Sequence, residues 1–164
     1  YEYTQGKNRK ENQRIIIMSD KLIHIYTDGA CRGNPGPGGW GAILICGEYR
    51  KEIKGGSLLT TNNIMELTAV IESLKKLKFS STIIITTDSK YVKDGITKWI
   101  HNWKEKDWKT ENKKTVKNKD LWIELDYLVQ QHMVKWEWVK GHSGHEENER
   151  ADFLANKGID NLYK

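Results

Sequence analysis

The sequence has little that would cross-link it or carry it into a bilayer. Only two cysteines, Cys31 and Cys46, stand among its 164 residues. Their spacing fits no metal site, and such a pair in a cysteine-poor chain reads as two free thiols in a reducing compartment. No apolar run approaches the ~20 residues that span a bilayer, and no charged, apolar and small-residue succession opens the chain as an export signal would. A disulfide scaffold and a membrane-spanning protein are thereby excluded, and a cytoplasmic monomer is expected. Prolines number two, Pro35 and Pro37, and both fall in one glycine-rich turn. Residues 1–17 lack any sustained period. They are expected to form a disordered extension ahead of a natural start at Met18-Ser19, leaving residues 18–164 as one domain. Apolar residues make up 37% of the chain, enough for a real core.

The formal net charge is +5, and its location says more than its size. Between Lys93 and Lys119 nine lysines face four acids, so an excess equal to the whole net charge sits in one stretch. Trp99, Trp103 and Trp108 lie in the same stretch. Alternating cations and flat rings suit a surface that follows a phosphate backbone and rests on sugars or bases. A solvated lysine-rich helix with tryptophans in the core would have the same composition.

Hydrophobic patterning predicts a three-stranded antiparallel meander over Leu22–Thr27, Trp40–Cys46 and roughly Tyr49–Ser57. A helix over Ile64–Leu77 follows, with Leu67, Val70, Ile71 and Leu74 on its buried stripe. Strand Thr82–Thr87 comes next, then a short helix after Asp88-Ser89, a second over about Ile96–Lys104, and a third over Asp120–Met133. The third is expected to turn Leu121, Leu125, Leu128 and Val129 inward. A strand over Val134–Val139, a flexible loop Gly141–His145 and a helix from Glu146 to Asn161 complete the chain. Strands alternating with helices after a meander imply an α/β fold: a five-stranded mixed sheet, three strands antiparallel and then two parallel, with helices on both faces.

Two of these strands end alike. Leu22–Thr27 delivers Asp28 beside the turn Gly33-Asn34-Pro35-Gly36-Pro37-Gly38-Gly39, and Thr82–Thr87 delivers Asp88. At the same end of one sheet, the two carboxylates would stand side by side. Glu66 lies four residues before Val70, only ~40° round the helix from the buried stripe. It points either toward the sheet or back to the helix start, as the Glu of a capping box with Asn63. Asp152 borders the packed face of the last helix, near Ala155 and Ile159. Four acids converging on one rim would repel strongly unless cations sat among them, and oxygen-only ligands select hard ions such as Mg²⁺. Beside a cationic, aromatic surface, this suggests two-metal phosphodiester hydrolysis.

The longest motifs are Tyr-Thr-Asp28-Gly-Ala-Cys-Arg-Gly-Asn34-Pro-Gly-Pro-Gly-Gly, Thr60-Thr61-Asn62-Asn63-Ile-Met-Glu66-Leu, Thr-Thr-Asp88-Ser-Lys-Tyr-Val, Gly95-Ile-Thr-Lys-Trp99-Ile-His-Asn-Trp103 and Trp136-Glu-Trp138-Val-Lys-Gly-His142-Ser-Gly-His-Glu-Glu-Asn-Glu-Arg-Ala-Asp152. In order and content they resemble the type 1 ribonuclease H family of the bacterial, single-domain kind. The resemblance implies the ribonuclease H-like fold and hydrolysis of the RNA strand of RNA–DNA hybrids, leaving 5′-phosphate and 3′-hydroxyl ends. It implies Asp28, Glu66, Asp88 and Asp152 as ligands of two Mg²⁺ ions, with Mn²⁺ a possible substitute, Asp28 bridging the two. His142 would shuttle a proton or help release product, although a lone loop histidine reads by itself as a bystander.

By the same resemblance, Asn34, Asn62 and Asn63 would contact 2′-hydroxyls and base edges in the minor groove. Thr61 and Asn118 would hold a DNA phosphate. Trp99 would line the DNA-strand channel within the basic protrusion, where Trp103, Lys104, Lys106 and Lys109 add substrate contacts. Lys90 departs from the family pattern, standing where relatives place a glutamine that touches the RNA strand. The segment before Met18 has no family counterpart, and no role for a C-terminal tail is expected. A DNA-cutting relative of the resolvase or integrase kind would share the acids but not the asparagine set, and a non-catalytic binder would have no reason to keep four repelling acids.

Overall fold

The computed structural model describes residues 22–141 and 144–164, so the extension expected over residues 1–17 lies outside the described residues. Strands β1 (Ile23–Cys31), β2 (Gly36–Cys46) and β3 (Tyr49–Thr60) form the antiparallel meander. Strands β4 (Thr82–Thr87) and β5 (Met133–Trp138) extend it in parallel beyond β1, giving the order β3-β2-β1-β4-β5. Alternation places Ile23, Ile25, Ile83 and Ile85 in one buried layer, with Ile23 opposite Ile83 and Ile25 opposite Ile85. Branched side chains pack well on such a pleated surface.

Helix α1 (Asn62–Lys75) covers that layer with Leu67, Val70, Ile71 and Leu74, the stripe the periodicity indicates. Each such side chain taken from water is worth about 2 kcal/mol. The helix starts two residues earlier than its sequence pattern suggests, because the Thr61 hydroxyl accepts a hydrogen bond from the Ile64 amide at 3.2 Å. Glu66 therefore stands too far into the helix to close a capping box.

The two helices expected after Asp88 are one continuous helical run. It consists of α2 (Lys90–Asp94), a π turn over Gly95–Trp99, and α3 (Ile100–Glu105). The wide turn lies where Gly95 meets the indole of Trp122; a Cβ there would come within 2.5 Å of Trp122 Cζ2. Trp122 belongs to α4 (Lys119–Gln130) and is fully buried with Leu125, whereas Leu121, Leu128 and Val129 are only partly covered.

Helix α5 (Glu146–Asp160) lies on the opposite face, where Ala151 and Leu154 pack on Ile43, Tyr26 and Ile45. Gly41 lets it press onto β2, since a Cβ there would sit 2.6 Å from both the Ala151 carbonyl and Leu154 Cβ. Ion pairs tie α5 to β3: Arg50 grips Glu147 at 2.7 and 2.8 Å, and Arg150 grips Glu52 with two bonds of 2.8 Å. A short 3₁₀ turn, Asn161–Tyr163, follows α5. Among the described residues, no helix is long and apolar enough to cross a membrane.

Candidate active site

Two strands stop pairing at the same rung, and the site begins there. The parallel ladder between β1 and β4 ends at Thr27 opposite Thr87, so Asp28 and Asp88 are the next residues on adjacent strands. Contrary to the expectation that β1 ends at Asp28, the strand runs on to Cys31, because its other edge stays paired with β2 and Asp28 faces Gly41 across that ladder. The acid thus sits on ordered backbone at the sheet's rim.

Glu66 reaches the same rim from α1. Gly29 makes this possible: a Cβ there would stand 2.5 Å from the Glu66 amide nitrogen and 2.6 Å from the Met65 carbonyl carbon. Only a bare α-carbon lets helix and strand meet so closely. One carboxylate oxygen from each of Asp28, Glu66 and Asp88 lies within 4.8 Å of the others. Asp152 joins from α5, close enough to share a side-chain hydrogen bond with Asp28. Asn156 Nδ2 donates to the Asp152 backbone carbonyl at 3.0 Å.

Asp28 is 4% exposed and Glu66 6%. Burial, then the charges of Asp88 and Asp152, push the Asp28 carboxyl up to about 9, against the pull of the Gly29 amide donating to its Oδ1 at 2.9 Å. Burial, and then Asp28 and Asp88, hold Glu66 well above the ordinary carboxylate range. Glu66 Oε1 is buried without a hydrogen-bond partner. A buried, unpartnered acceptor among crowded carboxylates fits a divalent cation, and a donor set made only of oxygens fits a hard one.

The other candidate residues come from the Gly/Pro turn, the start of α1, the helical run after β4 and the segment before α4. Asn34 Oδ1 accepts from the Asn62 amide at 3.1 Å, which ties the Gly/Pro turn to the start of α1, where Asn63 is exposed. Thr61 uses its hydroxyl oxygen as helix cap and keeps its hydroxyl proton to donate. Asn118, in the left-handed conformation at φ 60°, donates from Nδ2 to the Tyr91 hydroxyl at 3.1 Å. Of the three tryptophans, Trp99 is 38% exposed, whereas Trp103 and Trp108 pack partly against the core. Two of the three rings thus contribute to the core, and one stays at the surface. Lys104 is engaged by Asp126 at 3.0 Å, while Lys106 and Lys109 are exposed and in no ion pair among the described residues.

His142 lies outside the described residues. The loop that carries it in sequence starts at Gly141, whose Cβ position is 2.7 Å from Asp88 Oδ2.

Three contributors escaped the sequence reading. The Tyr91 hydroxyl gathers Asn118 and the Trp122 indole N–H, the latter at 3.0 Å. Gly29 underlies Glu66. Trp138 Nε1 donates to the Asp88 carbonyl at 3.0 Å. Strand alternation gave a signal for Trp138, but its partner sits on another strand and emerges only with the pairing.

Comparison with known proteins agrees with this geometry. The ribonuclease H family model matches residues 20–160. A ribonuclease H of Neisseria meningitidis serogroup C is 63% identical over 139 residues, covering 85% of this chain and 96% of the relative. One from Alcanivorax borkumensis is 61% identical over 142 residues, covering 87% and 94%. Among solved structures, LC9-RNase H1, a type 1 RNase H with the type 2 active-site motif, superposes with a TM-score of 0.76 at 34% identity, covering 86% of this chain and 73% of that one. The rim of acids is thus set in a chain that belongs to the ribonuclease H family, among its bacterial type 1 members.

Proposed function

We infer that the protein is an endoribonuclease that hydrolyses the RNA strand of RNA–DNA hybrids, leaving 5′-phosphate and 3′-hydroxyl ends. The observation that carries this reading is the meeting of Asp28, Glu66 and Asp88 within 4.8 Å, with Asp152 beside them, in a chain of the ribonuclease H family. Asp28, bordered by both Asp88 and Asp152, would hold the cations together with Glu66, Asp88 and Asp152. Two Mg²⁺ ions, or Mn²⁺ in their stead, would supply an ionised water as nucleophile and charge neutralisation at the leaving oxygen.

The chain's own side chains bind and orient. Asn34 and Asn62, linked to each other, and Asn63 would read 2′-hydroxyls and base edges in the minor groove. The Thr61 hydroxyl proton and Asn118 would hold a DNA phosphate, with Trp99, Trp103, Lys104, Lys106 and Lys109 along the DNA strand and Lys90 toward the RNA strand. His142 would shuttle a proton or help release product. A cytoplasmic, monomeric protein whose folded domain spans residues 18–164 completes the proposal.

A labelled hybrid, an RNA duplex and a DNA duplex, incubated in parallel with Mg²⁺ or with EDTA, test the reading. Cleavage confined to the RNA strand of the hybrid, and lost in EDTA, is the expected result. Comparable cutting of the DNA duplex, or full activity in EDTA, would overturn it.

A further inference from the structure

Trp138 closes β5, is 40% exposed, and is pinned by its indole N–H to the Asp88 carbonyl at 3.0 Å. Lys90 and Lys93, three residues apart on α2, bring their ammonium groups to 6.0 and 5.8 Å from the centre of this ring. Neither lysine is in an ion pair among the described residues, and the neighbouring Asp94 instead faces Lys98 at 3.5 Å. The face of an indole attracts one cation weakly. Two cations gathered on one ring repel each other, and neither is neutralised by an ion pair among the described residues, so an anion is what would complete the arrangement. We propose that Lys90, Lys93 and Trp138 form a subsite for a backbone phosphate of the RNA strand, next to the linkage being cut, with the indole supporting the adjoining ribose.

The proposal rests on the hydrolytic reading of the same rim and adds Lys93 and Trp138 to it. Position selects the strand. The ring is hydrogen-bonded to the backbone of Asp88, one of the acids that would face the scissile RNA phosphate, whereas the lysines assigned to the DNA strand come from the end of α3 and the segment after it. Phosphate contacts of this kind fix register without reading sequence.

The test uses hybrids in which single linkages flanking the cut are replaced by neutral methylphosphonates, on one strand at a time. Parent, Lys93→Ala, Lys90→Ala with Lys93→Ala, and a control Lys78→Ala on the exposed turn before β4 are compared. Lys93→Ala is expected to raise KM roughly fivefold with little change in kcat, and to lower the log–log salt slope by about one. Neutralising one particular RNA linkage should weaken the parent and leave Lys93→Ala indifferent. Penalties that add at every RNA linkage, or a non-additive linkage found only on the DNA strand, would overturn the subsite. A parent that cuts hybrids but ignores Lys93→Ala sinks this inference alone, whereas a parent that cuts no hybrid sinks the hydrolytic reading beneath it.

Discussion

Asp28 holds a proton that an isolated aspartate would have lost. Burial, and then the charges of Asp88 and Asp152, push its carboxyl from an ordinary 3.8 up to about 9. Between these values the native state binds more protons than the unfolded chain, so stability falls as pH rises. Asp28's contribution is fully present below about pH 4 and is lost as pH climbs through about 9. The melting temperature of the metal-free protein should therefore decline across that window more steeply in the parent than in Asp28→Asn. At pH 8 the parent must take up a proton at Asp28 to fold, a cost that the variant does not carry. The variant should thus melt as high as the parent or higher at pH 8 without metal. The same change should cut hybrid cleavage by orders of magnitude and shrink the stabilisation by Mg²⁺. Melting curves with and without Mg²⁺ across pH, with one cleavage assay, check all four; lower stability with retained activity would mean that Asp28 merely shapes the turn.

The helical run from Lys90 to Glu105 buries Val92, Ile96 and Ile100 in the core, and its π turn lies where Gly95 meets the fully buried Trp122. The indole cannot retreat, since its N–H is held by the Tyr91 hydroxyl at 3.0 Å. Gly95→Ala should cost about 1–3 kcal/mol through overpacking. It should also raise the KM for a hybrid, because Tyr91 holds Asn118 as well as Trp122. Thermal melting and steady-state kinetics would show both effects, and an unchanged melting temperature would mean that the turn has slack. This π turn was illegible in the sequence because it depends on a residue 27 positions away. The run of β1 past Asp28 was hidden for the same reason, since it depends on glycine partners in β2. By contrast β4, the stripe on α1 and the convergence of acids were legible, each being set by local periodicity or by strand ends in register. The alternatives left open for Glu66 were settled by where α1 begins, a matter of which hydroxyl takes the first amide.

Across the whole molecule, the lysine excess and the rim acids come from different stretches of the chain, residues 93–119 on one side and Asp28, Glu66 and Asp88 on the other, and they approach each other at Lys93 over the Trp138 ring. Replacing Lys104, Lys106 and Lys109 by Ala should raise KM and flatten its salt dependence while kcat stays nearly intact. Most of that change should come from Lys106 and Lys109, as Lys104 already faces Asp126. A fall in kcat at constant KM would contradict this division. The acids themselves come from β1, α1, the end of β4 and α5, spaced 38, 22 and 64 residues apart along the chain. Contacts between such distant pieces carry a large loop-closure cost, so the rim is expected to close late in folding. Their mutual repulsion then falls on the native side of the folding barrier. Mg²⁺ should consequently slow unfolding while leaving the refolding rate where it was, so that stopped-flow chevrons with and without the ion separate only on the unfolding limb. A cation that hastened refolding would instead place the rim among the first parts to form.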